Sequence, residues 1–287
     1  MTIAKIIAPV TGSARDSLVL ATAFAAAKPF NAHVIALFVH PDPWLAVPYT
    51  GVPLSATVTQ TLIDDAAMLA EKAGKRARLT FHQQAEVAGV KVLGKPAHVA
   101  AVSASFREAQ GFFPHLVASA AQLADLVVFG PVSPQAGSDI NEAFVGTLTK
   151  MDRPVLIADD VPGRMLCNVS IAWDGSIAAA HAVTAALPFL KHAERIDILT
   201  VHSSSGDLHD MREVSEYLAL HGLACTEHKI RSQGKSIAHD IMEHAQQRNS
   251  DLLVMGGYGH SHLRETLFGG VTSDVRWHPV VPTLMMH

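Results

Sequence analysis

Residues 251–276 read DLLVMGGYGHSHLRETLFGGVTSDVR. An apolar run, Asp251 to Met255, passes directly into Gly256-Gly257-x-Gly259. A short apolar run closed by glycine is the pattern of a buried strand of a parallel sheet. Ligands in open α/β sheets bind outside the carboxyl ends of such strands. Backbone without side chains approaches a phosphate closely and offers N–H donors to it. Gly269-Gly270-Val271-Thr272 then precedes Ser273 to Trp277, which can be helical. A helix N-terminus adds free N–H groups and partial positive charge. On spacing alone, a tight turn followed by a helix cap explains the same residues, and both readings stand at this point.

Working outward from this stretch, apolar runs alternate with amphipathic ones. Upstream, Val169 to Trp173 predicts a strand and Asp174-Gly175-Ser176 a turn, followed by a helix to about Lys191. Ile196 to Val201 is a strand, Leu208 to His221 a helix, and Ala224 to Ile230 a strand. Gly234-Lys235-Ser236 opens a helix to about Arg248, and Pro282 to Met286 closes the series. The same order is legible earlier in the chain. Ile3 to Val10, His33 to Val39, Leu126 to Phe129 and Pro154 to Ala158 predict strands, and Glu86 to Leu93 a short one. Helices are expected over Ala14 to Lys28, Leu54 to Ala85, His115 to Leu123 and Asn141 to Lys150. Pro96 suits a first helical turn, so Ala97 to Gln110 is also expected to be helical.

Segments of the two series match in sequence. Asp125-Leu126-Val127-Val128-Phe129-Gly130 parallels Asp251-Leu252-Leu253-Val254-Met255-Gly256, and Gly94-Lys95-Pro96-Ala97-His98 parallels Gly234 to His239. Strands separated by helices mean βαβ units and a parallel sheet, here present twice. The division expected is residues 1–160 and residues 165–287, joined by a short linker at Asp159 to Gly163. So short a linker holds the halves together as an intramolecular pair.

Composition removes other classes. Of 287 residues, 49% are hydrophobic and 17% charged, enough to build a core and too apolar for a disordered chain. The net charge is −4 without a Lys/Arg run, so nucleic acid and anionic membranes find no electrostatic footprint. No stretch approaches the roughly 18 apolar residues of a membrane span. Cys167 and Cys225 form no CxxC pair, which speaks against disulfides and thiolate zinc and for a reducing cytoplasm.

Gly256-x2-Gly259-x9-Gly269, followed by Val271-Thr272 and the Val280 to Met286 strand, closely resembles the C-terminal signature of the universal stress protein family. Asp174-Gly175-Ser176 resembles that family's first loop. The resemblance extends over the chain as two tandem copies and is far more specific in the second. It implies two Rossmann-like α/β domains, each a five-stranded parallel sheet with helices on both faces. Some members bind ATP or a related adenine nucleotide (ADP or AMP, with Mg), and others do not. Carried over, Ala172, Trp173 and Asp174 match the first-strand loop at the nucleoside, and Val201 the backbone facing the adenine. Met255, Gly256 and Gly259 match the loop by ribose and phosphates, and Gly269, Gly270, Val271 and Thr272 the phosphate turn. Gly270 stands where the signature has Ser or Thr, so one hydroxyl is lost while the N–H remains. Trp173 suits either stacking on a base or filling the pocket.

The first copy departs further. Thr11 replaces the aspartate, Pro131-Val132-Ser133-Pro134 replaces the glycine loop, and Val145-Gly146-Thr147 only echoes the phosphate turn. Proline lacks the N–H donor that a phosphate cradle needs, so this half is expected to be a degenerate partner domain. No general base is evident, which leaves at most slow, incidental ATP hydrolysis. His260 and His262 flank the glycine loop and suit a surface or capping role better than a metal. Two functional readings follow: a stress-linked regulatory module that binds adenine nucleotide in its second half, or a scaffold acting through its surface. Association of two chains into a homodimer is left open.

Overall fold

The computed structural model describes residues 2–48, 54–97, 99–132, 138–159, 167–202, 210–232, 236–257, 274–276 and 278–287. The first half contains β1 (Lys5–Val10), α1 (Asp16–Ala27), β2 (His33–His40), α2 (Ala56–Ala88), β3 (Lys91–Val92), β4 (Ser103–Gln110), α3 (Phe113–Ala121), β5 (Leu126–Phe129), α4 (Ser138–Thr149) and β6 (Val155–Ile157). The second contains β7 (Asn168–Ala172), α5 (Ile177–Leu190), β8 (Arg195–His202), α6 (Arg212–Leu220), β9 (Thr226–Arg231), α7 (Ile237–Gln247), β10 (Leu252–Gly256) and β11 (Thr283–Met286).

The eleven strands among the described residues join one sheet in the order β3-β4-β2-β1-β5-β6-β11-β10-β7-β8-β9. Each half contributes five parallel strands, β4-β2-β1-β5-β6 and β9-β8-β7-β10-β11, with the same internal order. The two-residue β3 is an extra edge on the first. The halves meet where β6 runs antiparallel to β11, with Leu156 opposite Leu284 and both side chains fully buried. The central strands are buried on both faces, so they are continuous apolar runs such as Leu126–Phe129 rather than alternating ones. The helices cover the two faces over two apolar clusters, one containing Phe24, Phe81 and Phe189, the other Phe129, Phe144 and Met255.

The stretch from Ala97 to Gln110 is corrected by the structure. Ser103–Gln110 is not helical but the strand β4, paired in parallel with β2 over eight residues, from His33 opposite Ser103 to His40 opposite Gln110. Its Ala, Arg, Glu and Gln content favours a helix locally, and the vacancy beside β2 overrides that preference. Buried His33 adds a specific reason. Its Nδ1 pairs with Ser103 Oγ at 2.8 Å and its Nε2 with Ser105 Oγ at 2.9 Å, alternate residues that a strand places on one face. The proline that opens a helix here is Pro114, in the first turn of α3. Glu86 to Ala88 likewise belongs to α2, which ends at Gly89 with φ +66°. The parallel drawn between Gly94 and Gly234 therefore fails. Gly94 lies between two strands, whereas Ser236 caps α7, whose counterpart is α3. Val145-Gly146-Thr147 is no turn either. It lies inside α4, where Thr147 Oγ1 donates to the Ala143 carbonyl.

Candidate functional site

In the second half the strand order reverses at β7: the chain passes from β7 to β8 and β9 on one side and returns to β10 and β11 on the other. A crevice opens beyond the carboxyl ends of strands at such a point. β7 ends at Ala172, opposite Leu199, while β8 continues through Thr200 and Val201 to His202. Those last three residues of β8 overhang β7, and the turn Trp173-Asp174-Gly175-Ser176 lies below them.

Each residue of that turn has a defined task. Trp173 N–H donates to the Leu199 carbonyl at 2.9 Å, and Thr200 Oγ1 donates to the Trp173 carbonyl at 3.1 Å. The Trp173 indole is half-buried against the core, and its Nε1–H donates to the Asp210 carbonyl at 3.1 Å. Of the two roles open to Trp173, these contacts favour filling: the ring is anchored within the fold. Gly175 has φ +71°, the left-handed conformation that favours glycine. Ser176 caps α5, its Oγ accepting from Ala179 N–H. Asp174 accepts the Ser176 N–H on Oδ1 at 3.0 Å and is exposed to solvent. Its second carboxylate oxygen bonds nothing among the described residues, so it is available to a ligand hydroxyl or amine.

Val201 pairs with Ile230 and is half-buried. Ala172 and Met255 are buried and lie opposite each other in the β7–β10 ladder. Thus Ala172, Trp173, Asp174, Val201, Met255 and Gly256 all lie at the carboxyl end of the second half. Gly259, Gly269, Gly270, Val271 and Thr272, together with His260 and His262, lie outside the described residues. Gly256 gains a second explanation. A Cβ there would stand 2.6 Å from Ala179 N and 2.8 Å from Ala178 C, so the glycine lets α5 approach β10. At Gly257 a Cβ would stand 2.9 Å from Leu148 Cδ2, a side chain of the first half.

The corresponding turn of the first half, after β1, is built differently. Thr11 N–H donates to Asp16 Oδ1 at 3.0 Å and Gly12 N–H to Asp16 Oδ2 at 2.7 Å. A carboxylate from the chain thus occupies the N–H groups that an anionic ligand would need. Burial pushes the Asp16 carboxyl above its usual range, and these hydrogen bonds only partly offset that. Above the turn sits α2. Gly12 has φ +78°, and a Cβ on it would stand 2.3 Å from the Ala73 carbonyl oxygen. Arg76 Nε donates to the Gly12 carbonyl at 3.0 Å, and Gly74 packs on the rings of Phe38 and His40 at the end of β2.

A second cluster lies toward the amino ends of β8 and β9. Asp197, 1% exposed, accepts Arg248 Nε at 2.8 Å, Arg195 Nε at 3.0 Å and His228 Nε2 at 2.9 Å. Burial raises this carboxyl, but the hydrogen bonds from Arg248 and His228 and the charges of Arg248 and Arg195 outweigh it and hold it below the usual range. Its charge is satisfied by cations, and no group of metal-ligating side chains occurs among the described residues. Several of the chain's 17 histidines are likewise structural. His244 Nδ1 bonds the Asp240 carbonyl, and His181 Nδ1 the His287 carbonyl. Cys167 and Cys225 are both free. No helix among the described residues is long and apolar enough to cross a membrane.

The strand order defines a doubly wound α/β protein with a Rossmann-like sheet in each half. Residues 165–287 match the sequence profile of the Universal stress protein family. A universal stress protein of Bacillus subtilis, YxiE, is 26% identical over 147 residues, covering 42% of this chain and 99% of that relative. The crystal structure of a universal stress protein from Archaeoglobus fulgidus superposes with a TM-score of 0.67 at 19% identity, covering 98% of this chain and 95% of that one. A functionally unknown protein from Pseudomonas aeruginosa superposes with a TM-score of 0.58 at 14% identity, covering 99% and 92%. The second half of the chain is thus similar to the universal stress protein family.

Proposed function

We infer that the protein is a tandem universal stress protein acting as a stress-linked regulatory module, with domains at residues 1–160 and 165–287. Its second domain binds an adenine nucleotide at the carboxyl ends of β7, β8 and β10. The observation that carries this reading is the exposed Asp174 in a turn whose counterpart is filled by Asp16 and α2. The described donor set fits such a ligand. Asp174 would accept from a ribose hydroxyl or the base amine, and the free main-chain edge of β8 at Val201 would face the base. Gly259, Gly269, Gly270, Val271 and Thr272 would supply N–H groups and one hydroxyl to the phosphates, with Mg as their counter-ion. ATP, ADP and AMP share the base and ribose contacts and differ only in the phosphate count. The first domain serves as a nucleotide-free partner, held through the β6–β11 pairing.

Calorimetric titration with ATP, ADP and AMP tests this. Saturable binding that is lost in Asp174→Ala supports it. No heat with any of the three up to millimolar nucleotide sinks it and leaves a scaffold that acts through its surface. That second reading is favoured by one observation, the apolar outer face of α2.

A further inference from the structure

We propose that two copies of this chain associate through the outer face of α2, packed antiparallel about a two-fold axis beside Met68 and Leu69. The helix has 33 residues, but its buried stripe is only Ala70, Gly74, Ala77, Phe81 and Ala85. None of residues 56–69 is buried. Of thirteen exposed large apolar side chains among the described residues, five project from this one helix, so its outer face is not an ordinary solvated surface. They include Val58 (47% exposed), Met68 (45%), Leu69 (63%) and Leu79 (59%). Trp44 and Leu45, also exposed, lie on a 3-10 turn (Pro43–Ala46) that packs against α2.

The exposed stripe has a repeat. Val58, Leu62, Asp65, Leu69, Lys72, Arg76 and Leu79 follow the 4-3 spacing of a helix–helix seam, on the side away from the buried stripe, with the Arg76 guanidinium turned back to the Gly12 carbonyl. The pattern is self-complementary. With the axis beside Met68 and Leu69, an antiparallel second copy sets Val58 against Leu79 and Asp65 against Lys72, and each contact recurs across the axis. That is the requirement of an isologous interface. A parallel pair would instead oppose Asp65 to Asp65 and Lys72 to Lys72. Asp65 and Lys72 have no ion-pair partner within the described residues, whereas nearby Lys75 is held by Glu71 at 2.6 Å and Arg78 by Glu108 at 3.0 Å. The seam from Val58 to Leu79 is about 32 Å long at the helical rise.

Other routes to self-association are poorly supplied. One end of the sheet is β3, with two residues. The other is β9, sequence TEHKIR, whose charged side chains disfavour addition of a further strand. The strands at the centre, β6 and β11, already pair with each other.

Sedimentation of the full chain over a concentration series tests the proposal, without and with nucleotide. The expected result is a monomer–dimer equilibrium in both conditions. Met68→Glu combined with Leu69→Glu is expected to raise the dissociation constant ~tenfold or more, with an unchanged thermal transition of the monomer. Asp65→Lys and Lys72→Asp alone each weaken the dimer, and the double exchange restores it. A monomer at every concentration overturns the proposal. So does a dimer indifferent to these substitutions, or single charge variants not rescued by the exchange. Nucleotide binding is read separately by calorimetry, so failure here leaves the ligand reading untouched.

Discussion

The turns after β1 and after β7 occupy equivalent places in two copies of one fold, and they have opposite relations to solvent. After β1, the main-chain N–H groups of Thr11 and Gly12 are taken by Asp16, and α2 lies on Gly12. After β7, the aspartate is in the turn itself, faces solvent, and uses one oxygen to order the turn. A single architecture thus yields a plugged turn in the first half and, among the described residues, an unplugged one in the second. The helix that follows the second strand makes part of the difference. α2 has 33 residues and its Ala73 and Gly74 roof the first crevice, whereas the described α6 has nine.

The largest expected effect breaks the plug itself. Gly12→Val places a Cβ inside contact distance of the Ala73 carbonyl at a positive φ, which should cost about 3 kcal/mol or more. Chemical denaturation measures this, with Gly146→Ala, which has open space, as the control expected to lose nothing. Asp16→Ala should cost about 2–3 kcal/mol, because it strands two main-chain N–H groups, and should leave nucleotide binding unchanged. Asp174→Ala should do the reverse: stability within about 0.5 kcal/mol and nucleotide affinity lowered at least ~tenfold. If both aspartate variants act alike, the contrast between the turns is wrong.

Acid separates the halves as well. Burial lowers the His33 pKa from 6.5. The unfolded chain therefore takes up the proton first, and stability falls as pH drops below about 6.5 toward the lower folded value. Asp197 is held below 3.8, so its contribution is present above that value and disappears only as pH falls through the folded pKa. Hydrogen exchange against pH should show β2 and β4 loosening before β8 and β9, and His33→Gln should remove the earlier phase. The smallest effect is expected from Thr200→Val, which removes one hydrogen bond beneath the open turn. A loss of about 1 kcal/mol in thermal unfolding, with a weaker effect on nucleotide affinity than Asp174→Ala, checks it.

Most of this fold could be read from the residues. Apolar runs such as Leu126–Phe129 and Leu252–Gly256 are short, glycine-closed and repeated, and both became strands. Ser103–Gln110 was hidden because its composition is helical, and the partner that makes it a strand, His33, lies seventy residues earlier. A comparable separation, 64 residues from Gly12 to Arg76, hid the roof over Gly12. Nothing local to Thr11-Gly12-Ser13 announces that Ala73 and Arg76 will rest on it. Asp174 was legible because its turn is built from neighbours in sequence. The donors around Asp197 come from two strands and a helix end, and no spacing rule joins Arg195, His228 and Arg248.

The antiparallel contact between β6 and β11 has a kinetic meaning. Two separate chains joined along such an edge would part on dilution, because their association depends on concentration. Within one chain the same contact closes as a unimolecular step, at an effective concentration set by the few residues of the connection. Dilution does not open it. Each half always has its neighbour, with Leu148 against Gly257 and Arg276 over the Phe144 ring at 5.3 Å. Under that guarantee the turn of one copy can be filled by its own Asp16 and α2 while that half still completes the other's fold.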